Sequence, residues 1–218
     1  MTTLDERVES LAADASRGPE LQSVLTAEAR PVAERLLSDE FEPGTAFTPD
    51  ELGRRIESYE ALSAPLGRAW GTLGWWTPPA SARGAVGLIG YLAEVRNRGS
   101  GIRPWLDLYA YPALLLFYAF GLGASTARRF DNLAMLFDQP VPNTRGQLQP
   151  AVVELNHPAV IGHDVAKTVP GMQRQCSASG STASSETGSM KGGSSEPSRV
   201  CAAMARMSVS GSASRPAD

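Results

Sequence analysis

Every aromatic residue of this chain lies before position 138. The four Trp, five Tyr and six Phe fall between Phe41 and Phe137, and residues 138–218 hold none. Aromatic side chains bury more apolar area than any others, so the packed core is expected in the front part. Residues 176–218 have the opposite chemistry, with thirteen Ser and no Leu, Ile, Phe, Tyr or Trp. A segment of that composition cannot bury enough apolar surface to offset the entropy of ordering it. The expected organisation is a helical domain at 1–137, an irregular extension at 138–175 and a disordered, low-complexity tail at 176–218.

Charge excludes one class of partner. Residues 1–137 carry 13 Arg, no Lys and 17 acids, a net of −4, and the remainder carries +1. Neither part has the basic stripe that nucleic-acid binding requires, so no nucleic-acid partner is expected. Both cysteines, Cys176 and Cys201, fall in the Ser-rich segment and make a poor disulfide framework. The first residues are polar and acidic, unlike a secretory signal. The cytoplasm is the expected compartment.

The domain reads as all-α, a helical bundle or a helical-repeat-like array. Thr3 and Glu6 have the spacing of a capping box, and Leu4, Val8, Leu11 and Ala15 follow at helical steps. Gly18-Pro19 breaks that run. A second helix carries Leu21, Val24 and Leu25, and Pro31 is expected to start or kink a further segment through Val32, Leu36 and Leu37. The strongest start signal is Thr48-Pro49-Asp50-Glu51, with a hydroxyl at the cap, Pro at the first position and acids in the first turn. Leu52, Ile56, Tyr59, Leu62, Leu66, Trp70 and Leu73 then form one apolar stripe, with Arg54, Arg55, Glu57 and Glu60 expected on the solvated face. Trp75-Trp76-Thr77-Pro78-Pro79 ends this helix. The next helix, from Ala80 to Arg96, carries Gly84, Gly87 and Gly90, whose spacing suits close helix packing and not a phosphate loop.

Residues 108–127 are uncharged throughout, which meets the length of a bilayer span. Tyr109, Tyr111, Pro112, Tyr118, Gly121 and Gly123 dilute the stretch, Asp107 precedes it, and an amphipathic segment from Phe130 to Phe137 follows the Arg128-Arg129 turn. A helix apolar on all sides is either deep core or membrane. The reading taken is a buried αα-hairpin that looks like one tetratricopeptide-type unit. The alternative is a small membrane-anchored protein with a single span at 108–127.

Three segments carry a family resemblance: Arg55 to Leu66, Leu108 to Gly121 and Pro170 to Arg174. They are similar to a helical region of uncharacterised bacterial proteins, in which it follows a SIR2-like or NTPase-type effector domain of defence systems. The resemblance covers roughly residues 50–175. It implies a non-catalytic helical module of a larger chain, and no catalytic residue carries over, because the effector domain has no counterpart here. Past Arg174 the related pattern would continue as apolar helix. The shift to Ser, Gly and Ala is therefore either a genuine flexible tail or the mark of a reading-frame change in a GC-rich gene.

The candidate chemistry is thin. His157 and His163, with Asp164 adjacent, sit among Pro158 and Gly162 in a loop and want a third ligand. Ser189 and Lys191 lie in the low-complexity tail, which cannot hold a dyad at hydrogen-bond distance. No catalytic, metal or cofactor site is assigned, and no cofactor is implied. The expected function is a protein-interaction or regulatory module, with a protein or the missing domain of a larger chain as partner. Trp75, Trp76, Pro78, Tyr111, Arg128 and Arg129 are its candidate surface.

Overall fold

The computed structural model describes residues 3–42, 47–156 and 160–161. The low-complexity tail expected at 176–218, and with it Cys176, Cys201, Ser189 and Lys191, lies outside those residues, as do His157, His163, Asp164 and Pro170–Arg174.

The fold is all-α. Helix α1 (Leu4–Ala12) begins at the expected capping box, with Thr3 N donating to Glu6 Oε2 at 2.8 Å and Glu6 N to Thr3 Oγ1 at 3.4 Å. Helix α2 (Gly18–Leu36) continues across Pro31, so no new helix starts there. Pro31 and Ala27, whose carbonyl the missing N–H would have served, both lie on the exposed face. Water can take that carbonyl, so the helix continues.

Helix α3 (Pro49–Trp76) starts where Thr48 Oγ1 accepts from Glu51 N, and its apolar stripe is buried along its length, with Leu62 partly so. Helix α4 (Pro79–Ala93) continues into a single 3₁₀ turn at Glu94–Asn97. Helix α5 (Arg103–Leu108) and helix α6 (Tyr111–Thr126) divide the uncharged stretch, and helix α7 (Phe130–Asp138) folds back beyond a short turn.

The core centres on α3 crossing α6, with α1, α2, α4 and α7 packed around them. Trp70, Trp105, Tyr59, Tyr109, Tyr111, Phe41 and Phe120 are among the largest fully buried side chains. Each adds on the order of 2–3 kcal/mol of apolar burial. The close approach of helices is made by glycines of α3 and α6, not by those of α4. A Cβ on Gly74 would meet the Phe120 carbonyl, and one on Gly123 would meet the Gly71 carbonyl. On α4, Gly84 faces only the Gln22 side chain and Gly87 faces open space, while a Cβ on Gly90 would lie 3.1 Å from the Pro140 carbonyl oxygen.

Two further sequence expectations need correction. The extension at 138–175 is not irregular through its first half. It holds strands β1 (Pro140–Pro142) and β2 (Leu148–Pro150), paired antiparallel with Val141 opposite Gln149, and then helix α8 (Ala151–Glu154). Val141, Ala151, Leu155, Val160 and Ile161 are buried in the same core. Strands of three residues flanked by prolines are too short to show alternation, and edge positions tolerate the missing N–H groups.

The second correction concerns Arg55, which is 5% exposed and not on a solvated face. Its Nη1 donates to Phe41 O at 2.9 Å, its Nη2 to Glu42 O at 2.7 Å and its Nε to Glu51 Oε1 at 2.6 Å. The guanidinium lies 4.4 Å from the centre of the Trp105 ring, and Tyr109 Oη donates to the same Phe41 carbonyl at 2.8 Å. Buried charge is tolerated where it is paired and hydrogen-bonded. The acceptors come from the end of the 3₁₀ turn Asp39–Phe41, 13 and 14 residues away, which helical periodicity cannot reveal. The Arg54 hydrogen bond, seconded by that of Arg55, outweighs desolvation and brings the Glu51 carboxyl down to about 2.

Candidate functional site

The end of the bundle where α3 gives way to α4 is built by the turn between α6 and α7. Arg128 takes a left-handed conformation, φ 56°, the one positive-φ residue other than glycine among those described. Its N donates to Ser125 O at 3.0 Å and Arg129 N to Ala124 O at 2.8 Å. These two bonds close a Schellman turn, whose left-handed position usually belongs to glycine.

The turn delivers two donors to the carboxyl end of α3. Arg129 Nε donates to Trp75 O at 2.6 Å, and Asn132 Nδ2 donates to Thr77 O at 2.9 Å and Gly74 O at 3.5 Å. The last carbonyls of a helix lack intrahelical partners and carry the negative end of its dipole, so a guanidinium there is favourable. Asn132 is fully buried, and its Oδ1 and the Thr77 Oγ1 have no partner among the described residues.

On this capped end, large apolar side chains face outward. Trp75 is 41% exposed, Trp76 39% and Phe130 66%, whereas Trp70 and Trp105 are wholly buried. Pro79, Arg128, Arg129, Phe130 and Asp131 border an open depression of about 320 Å³. Leu122 adds exposed apolar surface on the last turns of α6.

Of the residues expected to form the surface, Trp75, Trp76, Pro78, Arg128 and Arg129 come together here. Arg128 and the two tryptophans are exposed, while Pro78 and Arg129 are half-buried. Tyr111 does not belong. It opens α6 inside the core, fully buried, with its Oη donating to Glu60 Oε1 at 3.0 Å. Burial, followed by the Glu60 carboxylate, pushes its phenol well above the ordinary value. A tyrosine inside an apolar run reads alike as rim or core until its acceptor is known. Glu60 is that acceptor, 51 positions away.

Phe130 and Pro79, inside the Trp75–Pro79 break and the 108–137 hairpin but not among the six residues named, also border this end. The signal for Phe130 is its place at the first residue of a helix, directly after a left-handed turn. A side chain there covers the surface beyond the helix start and not the turn behind it.

The helical stretch Arg103–Thr126 is long and apolar enough by composition to cross a membrane, and 78% of its most apolar window is buried inside the fold. Among the described residues no cluster of three His, Cys, Asp or Glu side chains could hold a metal ion. No family model, no curated protein and no solved structure matches this chain.

Proposed function

We propose that this chain is a non-catalytic helical interaction module, part of a larger bacterial effector or NTPase-type assembly, and that it docks a protein partner through the end formed by Trp75, Trp76, Phe130 and Arg128. The supporting observation is the contrast among the four tryptophans. Two are buried as core, and two stand outward on an end whose backbone is capped by Arg129 and Asn132. Tryptophan and arginine are enriched in the few residues that dominate binding energy at protein interfaces. A preorganised backbone lowers the ordering cost of docking. Burial of 108–126 against α3 supports reading that stretch as core.

Site-specific photocrosslinking in the producing cell tests the reading. A photoreactive group in place of Trp76 is expected to give one protein adduct that Phe130→Ser abolishes. The same group in place of Glu9, exposed on α1, is expected to give none. Equal adducts from both positions would overturn the proposal. Flotation of the detergent-free protein with lipid would favour the membrane-anchored alternative instead.

A further inference from the structure

The opposite end of α4 has different chemistry, and its consequences are independent of the docking end. Fifteen helical residues separate the two ends, about 22 Å at the helical rise. Around the far end, Arg96, Arg103, Asp107, Thr144, Arg145 and Glu154 line a half-open cavity of about 270 Å³. That is below the roughly 300–1,000 Å³ typical of drug-sized sites, so the fitting occupant is small.

The walls are held by named bonds. The 3₁₀ turn after α4 turns Arg96 inward, with its side chain 1% exposed. Arg96 Nη2 donates to Glu154 Oε2 at 2.8 Å and to the Pro142 carbonyl, and its Nε–H has no partner among the described residues. Arg103, with its side chain 70% exposed, donates from Nε to Asp107 Oδ2 at 3.2 Å and from Nη2 to Thr144 Oγ1 at 2.9 Å. The β1–β2 loop carrying Thr144 and Arg145 is tied down by Asn143. Its Oδ1 accepts from Arg145 N at 2.8 Å and Gln147 N at 2.9 Å, and its backbone oxygen accepts from Asn97 Nδ2 at 3.1 Å.

Within this ring the donors outnumber the acceptors. Glu154 is engaged by Arg96 and Asp107 by Arg103, while Arg145 is exposed at the mouth and forms no ion pair among the described residues. Guanidinium groups only donate, and their planar fork matches the oxygens of phosphate and carboxylate. Three guanidiniums against two carboxylates leave a local positive excess. We propose that this cavity binds a small soluble oxyanion, a phosphoryl or carboxylate group held by Arg103 and Arg145 against the fixed wall of Arg96.

Acid sharpens the site. Burial raises the Asp107 carboxyl against the opposing pull of Arg103 and Arg96, with Glu154 adding to the rise. Protonation of Asp107 frees the Arg103 fork and increases the positive excess.

Isothermal titration with inorganic phosphate, succinate and sulfate at low salt tests the assignment. Saturable binding is expected, and Arg103→Gln and Arg145→Gln should each weaken it by about tenfold, as the loss of a charge-assisted bond implies. Both residues are exposed, so the variants should melt with the parent protein, and Arg54→Gln, a surface arginine elsewhere, should bind as the parent does. Sulfate keeps its charge on mild acidification, so its affinity should rise as Asp107 becomes protonated, and Asp107→Asn should remove the rise. Absence of saturable binding, equal loss in Arg54→Gln, or binding only to vesicles of anionic lipid would overturn the proposal.

Discussion

Two regions of this molecule set an arginine against a tryptophan, with opposite outcomes. At the start of α3, Arg55 lies inside the fold over the Trp105 ring and donates to two carbonyls and a carboxylate. At the end of α3, the Arg129 guanidinium donates to the backbone of Trp75, and the indole itself faces outward. The residue types are the same, and the supply of acceptors differs. Where the end of a 3₁₀ turn brings Phe41 O and Glu42 O to one guanidinium, the cation can leave water, and the region becomes core. Where only a helix end is offered, the cation caps it and the aromatic remains available for a partner.

The sharpest way to break this comparison is to remove the buried arginine. Arg55→Ala leaves Glu51 short of a partner, takes the guanidinium from the Glu42 carbonyl and leaves the Phe41 carbonyl to Tyr109 Oη alone, and it should cost about 3 kcal/mol or more in urea unfolding. Arg54→Ala removes an exposed ion pair with the same Glu51 and should cost under about 1 kcal/mol. Arg55→Lys should recover less than half of the loss, because an ammonium cannot span three acceptors or lie flat on Trp105. Equal losses for Arg55→Ala and Arg54→Ala would show that the interior network contributes no more than a surface pair.

The surface turn makes a smaller prediction of opposite sign. Arg128 adopts a backbone conformation that a side chain resists by roughly 1 kcal/mol. Arg128→Gly should therefore raise stability by about that amount, and the partner-binding loss tests whether the exposed guanidinium has a function that offsets the strain. Arg129→Ala should instead lower stability by about 1 kcal/mol, through the uncapped α3 carbonyl. Thermal melts of the two variants should move in opposite directions.

What was legible in the sequence was what is local. The capping box at Thr3, the start at Thr48-Pro49 and the stripe from Leu52 to Leu73 rest on spacings of three and four residues, and each stands in the structure as read. The Trp75–Pro79 break and the Arg128-Arg129 turn were likewise placed correctly, because glycine, proline and charge mark the ends of helices. What failed depended on distant partners. Arg55 and Tyr111 were put at the surface for lack of Phe41, Glu42 and Glu60 as visible acceptors. The glycine contact was assigned to α4, since Gly84, Gly87 and Gly90 are regularly spaced, while the true crossing uses Gly71, Gly74 and Gly123 on helices α3 and α6. The strands were hidden by their length. For the candidate site, the sequence marked the residues of both turns but not that Arg129 and Asn132 join them.

The smallest expected effect concerns the carboxylate shared by Arg54 and Arg55. Glu51 sits in the first turn of α3, where the helix dipole also favours negative charge, and its folded pKa is brought down to about 2. A depressed carboxyl contributes stability above its unfolded value, near 4.3, and loses that contribution as the pH falls through about 2. Glu51→Gln should thus be less stable than the parent at pH 7, the gap should narrow below about pH 4, and the two should converge near pH 2. Its side chain is 29% exposed and paired with the exposed Arg54, so solvent screens part of its charge and the gap at pH 7 should stay under about 1 kcal/mol. Added salt offers a second reading, since an exposed pair weakens as the screening length shortens. If the gap persists unchanged at 1 M salt, Glu51 acts mainly through the buried Arg55 and belongs with the interior network. If the gap closes with salt, it belongs with Arg54 at the surface. Either result fixes where, along one turn of α3, the interior arginine chemistry gives way to the exterior kind.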